Sequence, residues 1–449
     1  MLRQRGIYVM LLISSFFLYI LSACNNRNSA TTEPSDDPTL SSLTFQAQDS
    51  FPGLAKAVFV IEDRLDTGLI YNDDSLMYGT RVDSVVPRFI FNHTPASAIL
   101  MTPFDTTPIT GYDTANFSMN PSYLYVLSES EKVTKWYKIL VTVHQSDPDL
   151  FVWNRLTEEI YPPIAAEQKA LWHKGAISLF VNDGIELRLY QSADGAQWSQ
   201  QSISGLPADC HVKSIIKGDD RLYYASGKKV YFSDDGKSWS SDELETDDYE
   251  FVNMMLFFND SVWAIVSKAD TLQLAVSKNG NDFYVREDLP DNFPVSDFAA
   301  VDFVSKTYRN HSMLVGGYNK SGDALNSRWA VEFSPGRGYR WTNLTIEQPS
   351  FSQLTGASVI WYNKRLYMFG GATDSYNIGE YDMLESLDEG MTWNVPDSSH
   401  NCLPDTYRSR IGQSVVLDDK GYIYIIGGRS RTEIFTDVYR GKLNSIDWD

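Results

Sequence analysis

The feature that most constrains how this chain can fold is a short motif that recurs along its C-terminal two thirds. The motif opens with Ser, continues with Asp-Gly and closes with Trp. Three fuller copies span residues 192–198, 233–239 and 386–393, and two looser copies span residues 277–283 and 334–341. Trp448 stands where a sixth copy would end, and the closing aromatic recurs every 41 to 58 residues. A period of this length, with one small β unit per repeat, predicts a propeller or a solenoid.

Each copy of the motif lies between two short runs of alternating apolar residues, such as residues 187–190 before the first copy. This position predicts a hairpin turn, in which the Ser and Asp oxygens accept backbone N–H groups and Gly takes a positive φ. The closing aromatic is expected to pack against the neighbouring unit. The motif resembles the Asp-box, which lies at the rim of propellers. This resemblance implies a structural role for its carboxylates.

A second repeated signal is a strand that ends in a glycine pair. The pairs are Gly316-Gly317, Gly370-Gly371 and Gly427-Gly428. They resemble the diglycine of the kelch blade, where a Cβ would clash with a backbone passing close by. The first three repeats lack the pair, so the pattern indicates a hybrid of Asp-box and kelch-like repeats.

The number of strands predicts the architecture. The fifth repeat offers four strands, at residues 357–361, 365–369, 381–385 and 392–395. Six such units fit between residue 164 and residue 449. The sequence therefore predicts an all-β chain whose C-terminal part is a six-bladed β-propeller with four-stranded blades.

The first 23 residues have the features of a signal peptide. Arg3 and Arg5 precede a short apolar run, which ends in Leu-Ser-Ala-Cys24. These four residues resemble the lipobox of bacterial lipoproteins, which implies that Cys24 is lipidated and becomes the mature N-terminus. An ordinary signal peptide with a chance cysteine is the alternative. Residues 24–42 are polar and aperiodic and predict a flexible tether. We therefore expect a lipid anchor in the bacterial cell envelope, at the outer membrane, with the leaflet left open.

Residues 43–148 contain several short alternating runs and no helical period, which predicts a small β-sandwich. Its last two strands, at residues 123–129 and 135–143, are expected to pair through a turn. This ending resembles the Ig-like modules of secreted Bacteroides-type proteins. Residues 149–163, which include Pro162 and Pro163, are predicted to be a linker.

Charge and cysteine content limit the possible partners. The formal net charge of −20 predicts an acidic surface that repels phosphate backbones, so nucleic acid is a poor partner. Apart from Cys24, the chain has Cys210 and Cys402, which could pair in an oxidising envelope. The sequence leaves that pairing open.

Residues typical of propeller enzymes are not found in the expected pattern. A sialidase needs three arginines on different blades, whereas Arg408, Arg410, Arg429 and Arg431 cluster in one part of the sequence. The six histidines are isolated, so neither copper chemistry nor another metal site is expected. There is also no phosphate loop or nucleophile elbow. We predict no cofactor, no metal and no catalytic residues.

Propellers usually bind ligands at the mouth of the central channel, near the start of each innermost strand. Aligning the repeats at that position predicts a polar ring of Lys213, Asn253, Asp297, Gln353 and Arg410, to which the first repeat adds Glu167 or Gln168. One interpretation is a hydrogen-bonding surface for a polar ligand. The other is a water-lined channel whose polar residues satisfy one another.

Taken together, the segments resemble an uncharacterised family of Bacteroides-type lipoproteins with an Ig-like domain and an Asp-box/kelch-like propeller. The resemblance carries no established activity with it. Our first interpretation is a membrane-anchored binding or scaffolding protein, leaning away from an enzyme. Its ligand would be a glycan or an envelope protein. Aromatic residues make up 13% of the chain and include loop tyrosines such as Tyr318, Tyr376 and Tyr407, on which a sugar could stack. The alternative is a glycoside-active enzyme of sialidase-like shape.

Overall fold

The computed structural model describes residues 33–51, 53–147, 149–244, 248–347, 350–373, 382–397 and 403–444. Within these ranges the regular structure consists of β-strands and two short 3₁₀ helices, at Leu54–Lys56 and Val212–Ser214. The all-β prediction is therefore confirmed. None of the helices in the described ranges is long and apolar enough to cross a membrane. Cys24, Tyr376, Cys402 and Trp448 lie outside these ranges.

The chain divides into two compact units, residues 1–146 and 147–449. The strands of the N-terminal unit are β1 Leu40–Phe45, β2 Phe59–Glu62, β3 Thr67–Asn72, β4 Pro87–Phe91, β5 Ser97–Met101, β6 Thr106–Pro108, β7 Ser122–Leu127 and β8 Thr134–Leu140.

The strands of the C-terminal unit are β9 Phe151–Thr157, β10 Glu167–His173, β11 Ala176–Asn182, β12 Leu187–Ser192, β13 Ser199–Gln201, β14 Ile216–Lys217, β15 Leu222–Ser226, β16 Lys229–Ser233, β17 Ser240–Glu243, β18 Glu250–Phe257, β19 Val262–Lys268, β20 Thr271–Ser277, β21 Tyr284–Asp288, β22 Ala299–Val304, β23 Asn310–Val315, β24 Arg328–Ser334, β25 Gly338–Asn343, β26 Ser358–Tyr362, β27 Arg365–Phe369, β28 Met383–Ser386, β29 Ser414–Leu417, β30 Ile423–Arg429 and β31 Ile434–Leu443.

The N-terminal unit has two sheets around one apolar core. Strands β1 and β4 form the smaller sheet, and the larger one has the order β2-β3-β8-β7-β5-β6. Leu43 of β1 and Leu124 of β7 belong to the same buried cluster, and the buried Tyr137 hydroxyl of β8 accepts the Leu40 N–H at 3.0 Å. The predicted pairing of the last two strands is present as antiparallel β7–β8, whereas β3 and β8 run parallel.

The C-terminal unit contains six antiparallel sheets in its described ranges. We number them in chain order: sheet 1 is β10–β13, sheet 2 is β14–β17, sheet 3 is β18–β21, sheet 4 is β22–β25, sheet 5 is β26–β28 and sheet 6 is β29–β31 with β9. Six apolar clusters each join two consecutive sheets, and one of them joins sheet 6 to sheet 1 through Tyr424 and Leu179. The sheets therefore follow one another in cyclic order.

The predicted linker at residues 149–163 is wrong for its first half. Residues Phe151–Thr157 form β9, which pairs antiparallel with β31 and becomes the fourth strand of sheet 6. Phe151 is buried between sheets 5 and 6, where its ring packs edge-on against Tyr367. The start and the end of the C-terminal unit thus share one sheet, an arrangement that local sequence patterns do not reveal.

Sheet 5 departs from the predicted four strands. Strand β27 coincides with residues 365–369 as predicted, and β26 is displaced by one residue. The predicted fourth strand at residues 392–395 is absent, because the segment makes only one isolated bridge, Glu385 to Asn394. In the described ranges this sheet therefore has three strands.

The recurring motif forms a hairpin turn with the expected hydrogen bonds. In the first copy the Ser192 hydroxyl accepts the Gly195 N–H at 2.8 Å, and Asp194 Oδ1 accepts the next two N–H groups, at 2.8 and 2.9 Å. Gly195 has a φ of +74°. The same Ser-to-Gly bond recurs in the copies that begin at Ser233, Ser277 and Ser386.

The closing aromatics pack against the preceding sheet, as predicted. Trp239 of sheet 2 meets Phe180 of sheet 1 edge-on with 6.1 Å between ring centroids. Trp341 of sheet 4 meets Trp263 of sheet 3 in the same manner at 5.5 Å. These contacts place the motif carboxylates in structural turns.

The glycine pairs close the contacts between successive sheets. Gly316 and Gly317 follow β23 with φ values of +65° and +90°. A Cβ on Gly316 would lie 2.1 Å from the carbonyl oxygen of Leu354 in the segment before sheet 5. A Cβ on Gly427 of sheet 6 would likewise overlap with Oε1 of Gln168 in sheet 1. A side chain at these positions would push neighbouring sheets apart.

Candidate functional site in the central cavity

The C-terminal unit contains a cavity to which all six sheets contribute. Its volume is about 120 Å³, well above the roughly 10–15 Å³ that one water requires. The lining residues belong to the first strand of each sheet or to the segment just before it. One from each sheet, in order, are Lys169, Lys213, Asn253, Asp297, Gly356 and Gly412. We call this space the central cavity.

Three of the five residues in the predicted ring line this cavity, namely Lys213, Asn253 and Asp297. Of the two options for the first repeat, Gln168 lines it and Glu167 lines an adjoining groove. Gln353 is half-buried and Arg410 is fully buried, and neither is among the lining residues. Sequence alignment therefore located the cavity in four sheets and missed it in sheets 5 and 6.

The cause of the error is a shift in the alignment of the last two repeats. Asp297 lies two residues before β22, and the residues in that position before β26 and β29 are Gly356 and Gly412. All three have positive φ, at +51°, +63° and +65°. The Gly356 N–H donates to the Asp297 carbonyl at 3.2 Å, and the Gly412 N–H donates to the Gly356 carbonyl at 2.8 Å. The repeats should therefore be aligned by placing these glycines at the position of Asp297, because glycine readily adopts the left-handed backbone that Asp297 has there.

Arg410 does not line the central cavity as predicted, but is buried and stabilises the structure around it. Its Nη1 lies 2.6 Å from Oδ1 of Asp437 and also donates to the Gly427 carbonyl, at 3.1 Å. The guanidinium stacks near the rings of Tyr407 and Phe435, at 4.4 and 4.3 Å from their centroids. Its donors and its faces are therefore occupied, and Tyr407 is buried beneath it rather than exposed for a sugar.

An ion pair spans the central cavity between sheets 2 and 4. The Lys213 ammonium group contacts Asp297 Oδ1, and about a third of each side chain is exposed. Asp297 adopts its left-handed conformation at this point, which Asp tolerates better than most residues. The pair is therefore reachable from the cavity and held by a fixed backbone.

Lys169 is the charged lining residue that sequence reasoning missed. It is the third residue of β10, and its ammonium group makes no hydrogen bond or ion pair within the described part of the chain. Surrounding protein, and secondarily the positive charge of Lys213, lowers the pKa of Lys169 to about 8. A lysine in a strand that is otherwise largely apolar, Glu-Gln-Lys-Ala-Leu-Trp-His, was the available signal.

Three amide side chains support the cavity wall. Each donates from its amide nitrogen to a backbone carbonyl. Gln168 donates to Ile426 at 2.7 Å, and Asn253 donates to Val295 at 2.9 Å. Gln413 donates to the Phe369 carbonyl. Gln168 Oε1 accepts the Tyr161 hydroxyl at 3.2 Å. These bonds tie the first strand of one sheet to its neighbour, so the amides hold the rim of the cavity in place.

A side groove of about 240 Å³ adjoins the central cavity between sheets 6 and 1. The two spaces share Gln168, Lys213 and Gly412. Apolar side chains including Ile164, Ile411, Ile434 and Phe435 line the groove, together with charged Glu167 and Arg429. A ligand held in the cavity could therefore extend over an apolar wall.

The described residues offer neither a cluster of metal ligands nor a reactive thiol. In the described ranges, no three His, Cys, Asp or Glu side chains are grouped in a way that could hold a metal ion. Cys210 is a buried free thiol, and burial raises its pKa to about 12, so it is not poised for reaction. Cys402, with which the sequence left a pairing open, lies outside the described ranges.

Two family models match the chain. The model described as the DUF6242 beta propeller domain matches residues 147–449, and the model for the DUF6242 N-terminal domain, a domain of unknown function, matches residues 26–141. No curated protein is significantly similar to the sequence.

Solved structures of similar shape are distant in sequence. The structure of YjhT aligns with a TM-score of 0.44 at 13% identity, over 63% of this chain and 96% of that one. The alpha-L-arabinanase of Penicillium chrysogenum complexed with arabinobiose aligns with a TM-score of 0.42 at 12% identity, over 65% and 99%. A streptogramin B lyase aligns with a TM-score of 0.36 at 7% identity, over 66% and 98%.

Proposed function

This chain belongs to the DUF6242 family, and we propose that its propeller domain is a six-bladed, non-catalytic binding module of the cell envelope. Six sheets joined in cyclic order by six apolar clusters support the blade number. The Ser-Asp-Gly turns support an assignment as Asp-boxes, and the three glycine pairs support a kelch-like assignment for the last three blades.

The observation that carries the binding proposal is the polar central cavity. Lys213 and Asp297 present a charged pair to it, and Lys169 adds a further cation without a partner in the described residues. Such a small space with convergent polar groups suits a polar small molecule or the end of a glycan better than a protein surface. A glycan is therefore the ligand that we propose first, with an envelope protein as the second possibility.

The same lining favours binding over glycoside hydrolysis. A glycosidase needs two carboxyl groups on either side of the scissile bond, about 5–9.5 Å apart. Asp297 is the one carboxylate among the described residues that line the central cavity, and it is paired with Lys213. The enzyme alternative would therefore need a second carboxylate from elsewhere.

A glycan panel tests this proposal through both binding and hydrolysis. We expect binding without turnover by the wild-type protein, and at least a tenfold loss of affinity in the double variant Lys213→Gln/Asp297→Asn. This variant removes the ion pair without changing net charge. The matched control is Lys320→Gln/Asp291→Asn, an exposed pair with a 2.8 Å contact that does not line the cavity. Equal binding by both double variants would refute the cavity as the site.

For the N-terminal segments we propose a lipid anchor at Cys24, a tether, and an Ig-like sandwich that acts as a spacer at the outer membrane. The lipobox-like sequence supports the anchor, and two sheets around one core support the sandwich. Expression of Cys24→Ser in a bacterial host should move the protein from the membrane fraction to the soluble fraction. Retention in the membrane fraction would contradict the anchor.

A further inference from the structure

Lys169 is a charged group placed where its charge is hard to accommodate. Its neighbours along β10 are the buried Gln168 and Ala170, and its own half-buried side chain lines the central cavity. No carboxylate of the described residues bonds to its ammonium group. A cation partly enclosed by protein without a partner is unfavourable, because it loses part of its hydration and gains no compensating attraction.

The charges that line the cavity do not balance. Lys169 and Lys213 contribute two positive charges and Asp297 contributes one negative charge. The contact between Lys213 and Asp297 pairs two of the three. One positive charge is left over, in a chain whose formal net charge is −20. The cavity is thus a local exception to the acidity of the protein.

We propose that the central cavity binds the carboxylate group of an acidic ligand, with Lys169 as its counter-ion and Lys213 as a second donor. This inference rests on the binding function proposed above and names the chemical class of the ligand. A carboxylate carries one negative charge and neutralises the single excess positive charge. A phosphate dianion would leave the lining with net negative charge. A glycan with this property is one that contains a uronic acid.

The side groove accommodates the remainder of such a ligand. It opens from the central cavity at Gln168, Lys213 and Gly412, so a group bound beside Lys169 can continue into it. Phe435 and Ile434 offer an apolar surface there, against which the C–H face of a sugar ring can pack. The carboxylate would therefore enter the cavity, and the ring would lie towards the groove.

Calorimetry with matched sugars tests the inference. Glucuronate and galacturonate differ from glucose and galactose by a carboxylate in place of the hydroxymethyl group, and thus isolate the charge. We expect the wild-type protein to bind at least one uronate tenfold or more tightly than its neutral counterpart. Lys169→Met should abolish this preference, Lys169→Arg should retain part of it, and Lys320→Met, outside the cavity, should leave it unchanged. Inorganic phosphate should bind more weakly than the uronate.

The outcomes separate this inference from the proposed function. Equal affinity for uronates and neutral sugars, or uronate binding that survives Lys169→Met, overturns the role of Lys169 while cavity binding stands. Tighter binding of phosphate than of the uronates overturns the carboxylate assignment. Absence of binding to every uronate and to the glycan panel overturns both.

A second readout distinguishes a counter-ion from a merely structural lysine. Binding of a carboxylate should favour the protonated form of Lys169, so the protein should take up a proton at pH 8.5. Proton uptake is measured by titration in two buffers of different ionisation enthalpy. The other charged groups that line the two spaces are Lys213, Asp297, Glu167 and Arg429, with His211 3.5 Å from Glu167. Uptake that persists in Lys169→Met would assign the proton to one of those groups and contradict the inference.

Discussion

The guanidinium of Arg410 and the carboxylate of Asp437 form a buried ion pair in the last sheet, with 2.6 Å between Nη1 and Oδ1. The two side chains are 0% and 6% exposed. Arg410 also donates through Nε to the Arg408 carbonyl at 2.8 Å. The pair thereby fixes the segment before β29 against β31 and sets the position of the cavity wall that follows it.

Breaking this pair from one side should be costly. Asp437→Leu leaves a buried guanidinium without its carboxylate, so we expect a loss of ~3–5 kcal/mol in the free energy of unfolding. The double variant Arg410→Met/Asp437→Leu should recover much of that loss, because no buried charge remains. Urea unfolding of the single and double variants measures this coupling. Strictly additive losses would contradict it, and Arg64→Met in the exposed pair with Glu62 should cost less than ~1 kcal/mol.

The parts of the fold that local sequence patterns encode could be predicted. The turn at Ser192 needs only a hydroxyl, a carboxylate and a glycine at fixed spacing, all of which act within seven residues. The closing aromatics and glycine pairs repeat at blade length, so their contacts with neighbouring sheets also follow from the sequence. By contrast, β9 pairs with β31, which is separated from it by nearly the whole sequence of the unit. No local pattern near Phe151 indicates which strand it pairs with.

The candidate site was only partly predictable for a similar reason. Lys213, Asn253 and Asp297 were found because polar residues stand out before or within the first half of an apolar strand. In the last two sheets the equivalent residues are Gly356 and Gly412, which have no side chain. Aligning on polar residues therefore selected the nearby Gln353 and Arg410 in their place. Lys169 was overlooked because a single lysine in a strand usually points to solvent. Whether a side chain faces a cavity depends on all six sheets together.

The glycine pairs offer a test of how tightly the sheets pack. Gly316→Ala should be strongly destabilising, because a left-handed alanine costs roughly 1–2 kcal/mol and the new methyl group would also meet the Leu354 carbonyl oxygen. Gly322→Ala is the matched control, since Gly322 has a φ of +83° but no atom within 4 Å of the added Cβ. Thermal and urea unfolding should show the larger loss for Gly316→Ala. Equal losses would indicate that backbone strain alone explains the glycine.

Acid should weaken the motif turns. Partial burial works to raise the pKa of Asp388, but hydrogen bonds from Thr392 and Ser386 outweigh it and hold that pKa below its usual value of 3.8. The stability that the carboxylate contributes is therefore present above about pH 4 and is lost as the pH falls through the lower, folded-state pKa. We expect Asp388→Asn to cost ~1–2 kcal/mol at pH 7. The difference from wild type should shrink below pH 4.

Urea unfolding at pH 7, 5 and 3 measures this effect. The hydrogen bonds at risk are those that Asp388 accepts from the Thr392 N–H at 2.8 Å and the Thr392 hydroxyl at 2.6 Å. Asp49→Asn, at an exposed position outside the motif, should leave stability unchanged at pH 7. A difference between Asp388→Asn and wild type that stayed constant down to pH 3 would contradict the assignment.

The stability of the ligand-free protein should rise in alkali because of Lys169. The pKa of this group falls from 10.5 to about 8 on folding, chiefly through burial. Below pH 8 both the folded and the unfolded chain carry the proton, and folding bears the full cost of enclosing the charge. Between pH 8 and 10.5 the unfolded chain binds more protons, so stability contributed by this site rises with pH.

Lys169→Met should remove that cost together with its pH dependence. We expect the variant to be more stable than wild type at pH 7 by about 1–3 kcal/mol, a range that allows for partial access of water to the cavity. The gap should narrow as the pH approaches 10, as measured by urea unfolding at pH 7, 8.5 and 10. Lys320→Met, at an exposed position, controls for the titration of other groups. A gap that does not change between pH 7 and pH 10 would mean that folding does not lower the pKa of Lys169. Its charge would then be well hydrated already, and a bound carboxylate would relieve no cost of burial.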